Sequence, residues 1–146
     1  MSALKGSREN SRYEYNITTQ AAGTGTVTGG VIDMGGNNQF NAVEAMLAMG
    51  DNADTAVIKI KAYEGTASGT QTTSLGTLTH TVTAAGTSDD KMLVLDVTSV
   101  TKRYVRFDVV TATANITIEA LITRQYNARY GPISATAGDV VAGKSL

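Results

Sequence analysis

The side chains able to do chemistry in this chain are few and scattered. His80 is the one imidazole among 146 residues, and there is no cysteine. It stands between Thr79 and Thr81 with no activated nucleophile next to it, so the sequence reads it as a strand residue and not as a base. A zinc-type site would need carboxylates at ligand spacing around it, and no such motif occurs. Asp51, Asp54, Asp89 and Asp90 lack the dense alternating oxygen donors of a calcium loop and sit where turns need acids. Gly23, Gly25, Gly29 and Gly30 do not form a phosphate loop, because no lysine followed by Ser or Thr closes the run and no helix follows it. These residues predict no catalytic, cofactor-binding or metal-binding site and a protein that is not an enzyme. What remains is a set of Tyr and Arg side chains near the two ends: Tyr13 and Tyr15, then Arg124, Tyr126, Arg129 and Tyr130. Tyr and Arg are the residue types enriched at contact hot spots, so these six are the candidate partner-binding residues.

Composition narrows the partner. A net charge of -1 gives no global pull toward nucleic acid or an anionic membrane, so neither is expected as a partner. No apolar run approaches the ~20 residues that cross a bilayer, and the opening MSALKGSRENSRYEY lacks the apolar region of a secretory signal, so the reading is a soluble chain without an export address. For the same reason Asn16-Ile17-Thr18 and Asn115-Ile116-Thr117 read as chance matches to a glycosylation sequon. Only 17% of residues are charged while Thr, Ala and Gly abound, a profile of a β-protein with short loops.

Alternation carries the fold prediction. Tyr13, Tyr15 and Ile17 alternate with polar residues; Ala21–Gly25 reads as a break; Thr26–Asp33 resumes with a bend at Gly29–Gly30. Phe40–Met49 has helix-forming residues, yet strand is favoured because reversal through Gly50–Thr55 sets Met49, Leu47, Ala45 and Val43 opposite Ala56, Ile58, Ile60 and Ala62, with Glu44 opposite Lys61. Leu75–Thr83 reads as a Thr-rich strand near a sheet edge or a subunit contact, and Met92–Val97 as a central one. A second hairpin is predicted through Thr111–Ala114, setting Val109, Phe107 and Val105 opposite Ile116, Ile118 and Ala120, and Arg106 opposite Glu119. After Ile122 the alternation stops, so the residues from Arg124 to Pro132 are neither a good strand nor a featureless linker and read as a docking segment.

About eight strands separated by frequent turn signals predict an all-β chain: an antiparallel β-sandwich, with a jelly roll as the favoured topology. Its parts are a flexible N-terminal arm over residues 1–11, the sandwich over 12–126 and a C-terminal extension over 127–146. The arm and the extension are the segments expected to order on docking.

The run LDVTSVTKRYVRFDVVTATANITIEALITRQYNARYGPIS resembles the C-terminal part of head decoration, or cement, proteins of tailed bacteriophages. The matching features are a KRYVR-type strand at Lys102–Arg106, a second strand ending in an aromatic at Ile116–Tyr126, and an Arg-containing segment before proline at Ala128–Pro132. The resemblance implies a β-sandwich that assembles as a homotrimer on the outside of an icosahedral head, with the major capsid protein as its partner and the capsid surface as its location. A tail, neck or fibre subunit of such a virion, or a carbohydrate-binding module, is the alternative that the same composition leaves open.

Overall fold

A computed structural model describes residues 11–35 and 40–126 and, for the backbone alone, 140–145. The described chain is all-β. Its strands are β1 (Ser11–Ile17), β2 (Gln20–Thr28), β3 (Ile32–Asp33), β4 (Ala42–Asn52), β5 (Val57–Gly65), β6 (Thr73–Thr81), β7 (Met92–Val97), β8 (Tyr104–Tyr126) and β9 (Val140–Ser145). The expected arm over residues 1–11 lies outside the described residues except for Ser11, which already belongs to β1.

One long strand organises the rest. β8 runs for 23 residues. Along one edge it pairs with β5 over Tyr104–Ala112 and then with β4 over Ile116–Tyr126. Along its other edge it meets β3, β2 and β1 in turn. The hydrogen-bonded path is therefore β6-β5-β8-β4-β7-β9, a single sheet that curls over on itself. Its inward side chains meet in one core: Ile58, Ile60 and Phe107 from the β5 side, Leu47, Leu93, Leu95 and Leu121 from the β4 side. The expected β-sandwich is present. Each such fully buried side chain contributes roughly 1.5–3 kcal/mol.

The curl is visible in the phase of β8. Val105, Phe107, Val109 and Thr111 are buried, then Ile116 and Ile118, then Leu121, Thr123 and Gln125, so the inward set switches between odd and even positions twice. A side-chain period of two allows such a switch only where a residue is added or twisted out of the pleat. The first switch contains Thr113 at φ 71, and opposite it the register of β2 breaks at Gly23 and at Gly25, whose φ is 137. The second coincides with breaks in both neighbours, between Ala48 and Met49 in β4 and between Tyr15 and Ile17 in β1.

Two pairings predicted from the sequence are thereby corrected. Thr111–Ala114 does not reverse the chain: Val109 lies opposite Ile60, Phe107 opposite Ala62 and Arg106 opposite Tyr63. Arg106 pairs with Asp108, two residues along its own strand, at 2.9 Å, and not with Glu119. Likewise β4 and β5 are strands, as favoured over helix, but they do not pair with each other. Glu44 lies opposite Asp96 and Arg124, whereas Lys61 lies opposite Thr77 and Asp108. The physical reason is common to both. Two alternating runs around a turn-like stretch look the same whether the chain folds back on itself or carries each run to a different neighbour, because alternation reports a buried face and not the strand across from it.

Smaller features divide. Ala21–Gly25, predicted as a break, lies within β2 as its irregular stretch. Gly29–Gly30 does end β2, and a Cβ on Gly29 would collide with Asn16 Oδ1 and the Phe107 carbonyl, which accepts the Gly29 N–H at 3.0 Å. β6 ends the sheet path as the predicted edge strand, and β7 lies between β4 and β9. β9, from the expected C-terminal extension, runs parallel to β7.

Candidate functional site

The strand β8 continues through Arg124 to Tyr126 with its inward and outward positions still alternating, which corrects the reading that alternation stops after Ile122. Its second half is flanked on both edges, so directly opposed residues form rows on the outward face. One row is Tyr15, Ile122, Met46 and Val94 across β1, β8, β4 and β7; the next is Tyr13, Arg124, Glu44 and Asp96. The core rows point the other way, through Leu121, Leu47 and Leu93. This sheet face, turned away from the core, carries Ile122, Met46 and Val94, each part-buried, beside two exposed Tyr.

Four of the six predicted partner-binding residues fall on this face, in two different states. Tyr13 and Tyr15 stand out from β1 with 52% and 59% of their surface exposed. Arg124 and Tyr126 are engaged internally instead. The Arg124 guanidinium reaches Glu44 Oε2 at 3.5 Å and lies 4.7 Å from the centroid of the Tyr126 ring. Tyr126 is buried and donates its hydroxyl to Asp96 Oδ1 at 2.5 Å. The idea that both side chains stand free is thus corrected: two carboxylates that sequence reasoning did not connect to them draw them in. Arg129 and Tyr130 lie outside the described residues.

Burial governs the ionisation of this cluster. Glu44 and Asp96 are buried, and loss of hydration pushes both carboxyls up from their ordinary range. Arg124 partly offsets the shift at Glu44, and the hydrogen bond from Tyr126 together with Arg124 does so at Asp96. Desolvation followed by the Asp96 carboxylate raises the Tyr126 phenol well above its usual value, so the hydroxyl remains a donor.

The structure also supplies His80 with a neighbour that its sequence context does not. Ser88, from the segment joining β6 to β7, brings its hydroxyl to 2.9 Å from His80 Nε2. Ser88 is buried, and desolvation lowers the His80 pKa. Next to it, Asp89 Oδ1 accepts from the backbone N–H and the side-chain amide of Asn52 at 2.7 and 3.1 Å. These contacts fasten the connecting segment to β6 and to β4. Among the described residues no group of three or more His, Cys, Asp or Glu is arranged to hold a metal ion.

No family model matches this sequence, and no curated protein does. Among solved structures the fold is similar to that of PBSX exported protein XepA, a phage-derived protein, with a TM-score of 0.54 at 14% identity. That alignment covers 94% of this chain and 43% of the other, so this chain spans less than half of XepA. A structure of infectious bursal disease virus, Gt strain, aligns with a TM-score of 0.43 at 11% identity, over 84% of this chain and 33% of that one. At such identities the likeness to XepA is one of fold.

Proposed function

We propose that this chain is a structural virion protein that binds the outer surface of an icosahedral phage head and stabilises the shell, as a decoration protein. The observation that carries the reading is the outward face of the β1-β8-β4-β7 layer, where Tyr13 and Tyr15 stand half-exposed beside the row formed by Ile122, Met46 and Val94. Tyr buries a large ring while keeping its hydroxyl bonded, which suits an interface that remains wet at its rim. The work of such a protein is binding the assembled lattice better than free subunits, which needs contact area and complementary shape in place of an active site. The resemblance of the Leu95–Ser134 run to head decoration proteins and the fold likeness to a phage-derived protein both support this reading.

The partner in this proposal is the major capsid protein, and the assembled form is a homotrimer. Co-sedimentation with undecorated heads tests it directly: the wild-type chain pellets with heads and saturates at a fixed copy number, while Tyr13→Ala combined with Tyr15→Ala weakens attachment without unfolding the sandwich. Absence of pelleting for the wild type overturns the head-binding role. Light scattering at micromolar concentration reports the oligomer, and a monomer mass overturns the trimer.

A further inference from the structure

Three paired strands bring four polar side chains together on the outward face just described. In the register, Glu44 of β4 has Asp96 of β7 directly on one side and Arg124 of β8 on the other. Residues directly opposed on paired strands hold their Cβ atoms about 4.5–5.5 Å apart. Both carboxyl residues are almost wholly buried, at 2% and 3% exposed, so water does little to screen them from each other. A single guanidinium serves the pair, and it is hydrogen-bonded to Glu44. Arg124 Nε and Asp96 Oδ2 are both buried without a partner. Two carboxylates against one cation, with one carboxylate oxygen unbonded, is an assembly that one added proton relieves. The proton removes the repulsion between the acids and turns one of them into an O–H donor.

We propose that Glu44 and Asp96 form a proton-operated clasp: the folded protein holds one proton on this pair, and that proton secures the last residues of β8 against β4 and β7. The pair titrates as a unit, so the proton belongs to both carboxyls and not to a fixed one. The charged and titratable groups facing it are Arg124 and Tyr126 from β8, with Tyr13 of β1 opposite Arg124. On its other side β9 sets Ser145 opposite Asp96 in the backbone register. The upward displacement of both carboxyls by burial agrees with a retained proton. Release of the proton leaves two buried negative charges across the β4–β7 pair, so a rise in pH loosens the layer that carries Tyr13 and Tyr15. The clasp is a property of the fold and stands independently of what that face binds.

The sign follows from linkage. A carboxyl whose folded pKa lies above its unfolded value binds the proton more tightly in the folded chain, so stability is greatest below the unfolded pKa and falls as pH rises through the folded one. The ordinary values are 4.5 for Glu and 3.8 for Asp, which places the fall above this range. The experiment is denaturant unfolding of the full chain from about pH 5 to about pH 8, on the wild type and on Glu44→Gln, with carboxyl-carbon NMR titration of the wild type in parallel. The expected result is a wild-type unfolding constant that rises with pH, about tenfold for each unit by which the retained proton's pKa exceeds the starting pH, and a Glu44→Gln variant in which this rise is lost. His80, whose depressed pKa acts in the opposite direction, is common to both proteins and drops out of their difference. Should the variant fail to fold, the NMR titration decides alone: a Glu44 or Asp96 carboxyl titrating above the ordinary range sustains the clasp. Equal pH slopes for the two proteins, or both carboxyls titrating at or below their ordinary values, overturn it.

Discussion

The two halves of β8 are one strand built on different terms. From Tyr104 to Ala112 the inward side carries Val105, Phe107 and Val109, and the charges on the strand satisfy each other locally, Arg106 to Asp108 at 2.9 Å. From Leu121 to Tyr126 polar groups are buried on both faces: Thr123 and Gln125 point to the core, while Arg124 and Tyr126 are held by Glu44 and Asp96 on the outside. The first half is secured by burial of apolar area, which has no group that titrates. The second is secured by partners that come from β4 and β7, and its strength depends on the protonation of those partners. An alternating strand can thus be continued past its apolar stretch wherever neighbouring strands bring matching polar groups.

Substitutions in the two halves separate these terms. The largest effect is expected for Phe107→Ala, which removes a fully buried ring from the first half and costs on the order of 3–5 kcal/mol, with no dependence on pH across the neutral range. Denaturant melts give the number, and a loss below about 1 kcal/mol places the ring outside the core. In the second half Arg124→Ala takes the cation from Glu44, whose side chain is 3% exposed, and costs about 1–3 kcal/mol near neutrality. That loss shrinks as the pH is lowered and Glu44 takes up a proton; a loss that stays constant with pH assigns the effect to lost packing of the Arg side chain.

Arg106→Ala is expected to cost about 1–2 kcal/mol, since it takes the partner from Asp108, whose side chain is only 11% exposed. Replacing Tyr13 and Tyr15 together by Ala should change the unfolding free energy by less than about 1 kcal/mol, because both rings are more than half exposed. An equally small change in head binding for that double variant removes these rings from the contact. The smallest effect concerns Asp33, whose bidentate hydrogen bonds from Arg103 hold its carboxyl down at about 2. Stability from that pair is present above the ordinary value of 3.8 and is lost as pH falls toward 2, so Asp33→Asn should flatten the acid limb of the melting curve. An unchanged acid limb assigns acid sensitivity to other carboxylates.

Much of the fold is legible residue by residue, and the errors share a cause. The strands at Tyr13–Ile17, Phe40–Met49, Leu75–Thr83 and Met92–Val97 are found close to where alternation predicts them, because a period of two in a half-buried segment is a local property. Choosing strand over helix at VEAMLAM is sound, although the hairpin that motivates the choice is not formed. Two opposite-charge coincidences, Glu44 with Lys61 and Arg106 with Glu119, are set aside by contacts with β8, β4 and β7 that no local window contains. The proposed contact surface is half legible. Tyr13 and Tyr15 are named by type and position, whereas the apolar row beside them comes from four strands separated by up to about a hundred residues of chain and cannot be assembled without the register.

By itself the sequence determined the class of this protein: all-β, without cysteine, with strand positions marked by alternation and turns marked by Gly, Asn and Asp. Those properties depend on each residue and its immediate neighbours. The tertiary structure alone decided that Thr111–Ala114 continues a strand in place of turning it, that Arg124 and Tyr126 are held inside the sheet, and that Glu44 meets Asp96. The physical reason is that pairing is a contest among all strands for the edges of β8. Its outcome depends on the summed burial and hydrogen bonding of the whole sheet, to which any one alternating segment contributes only a face.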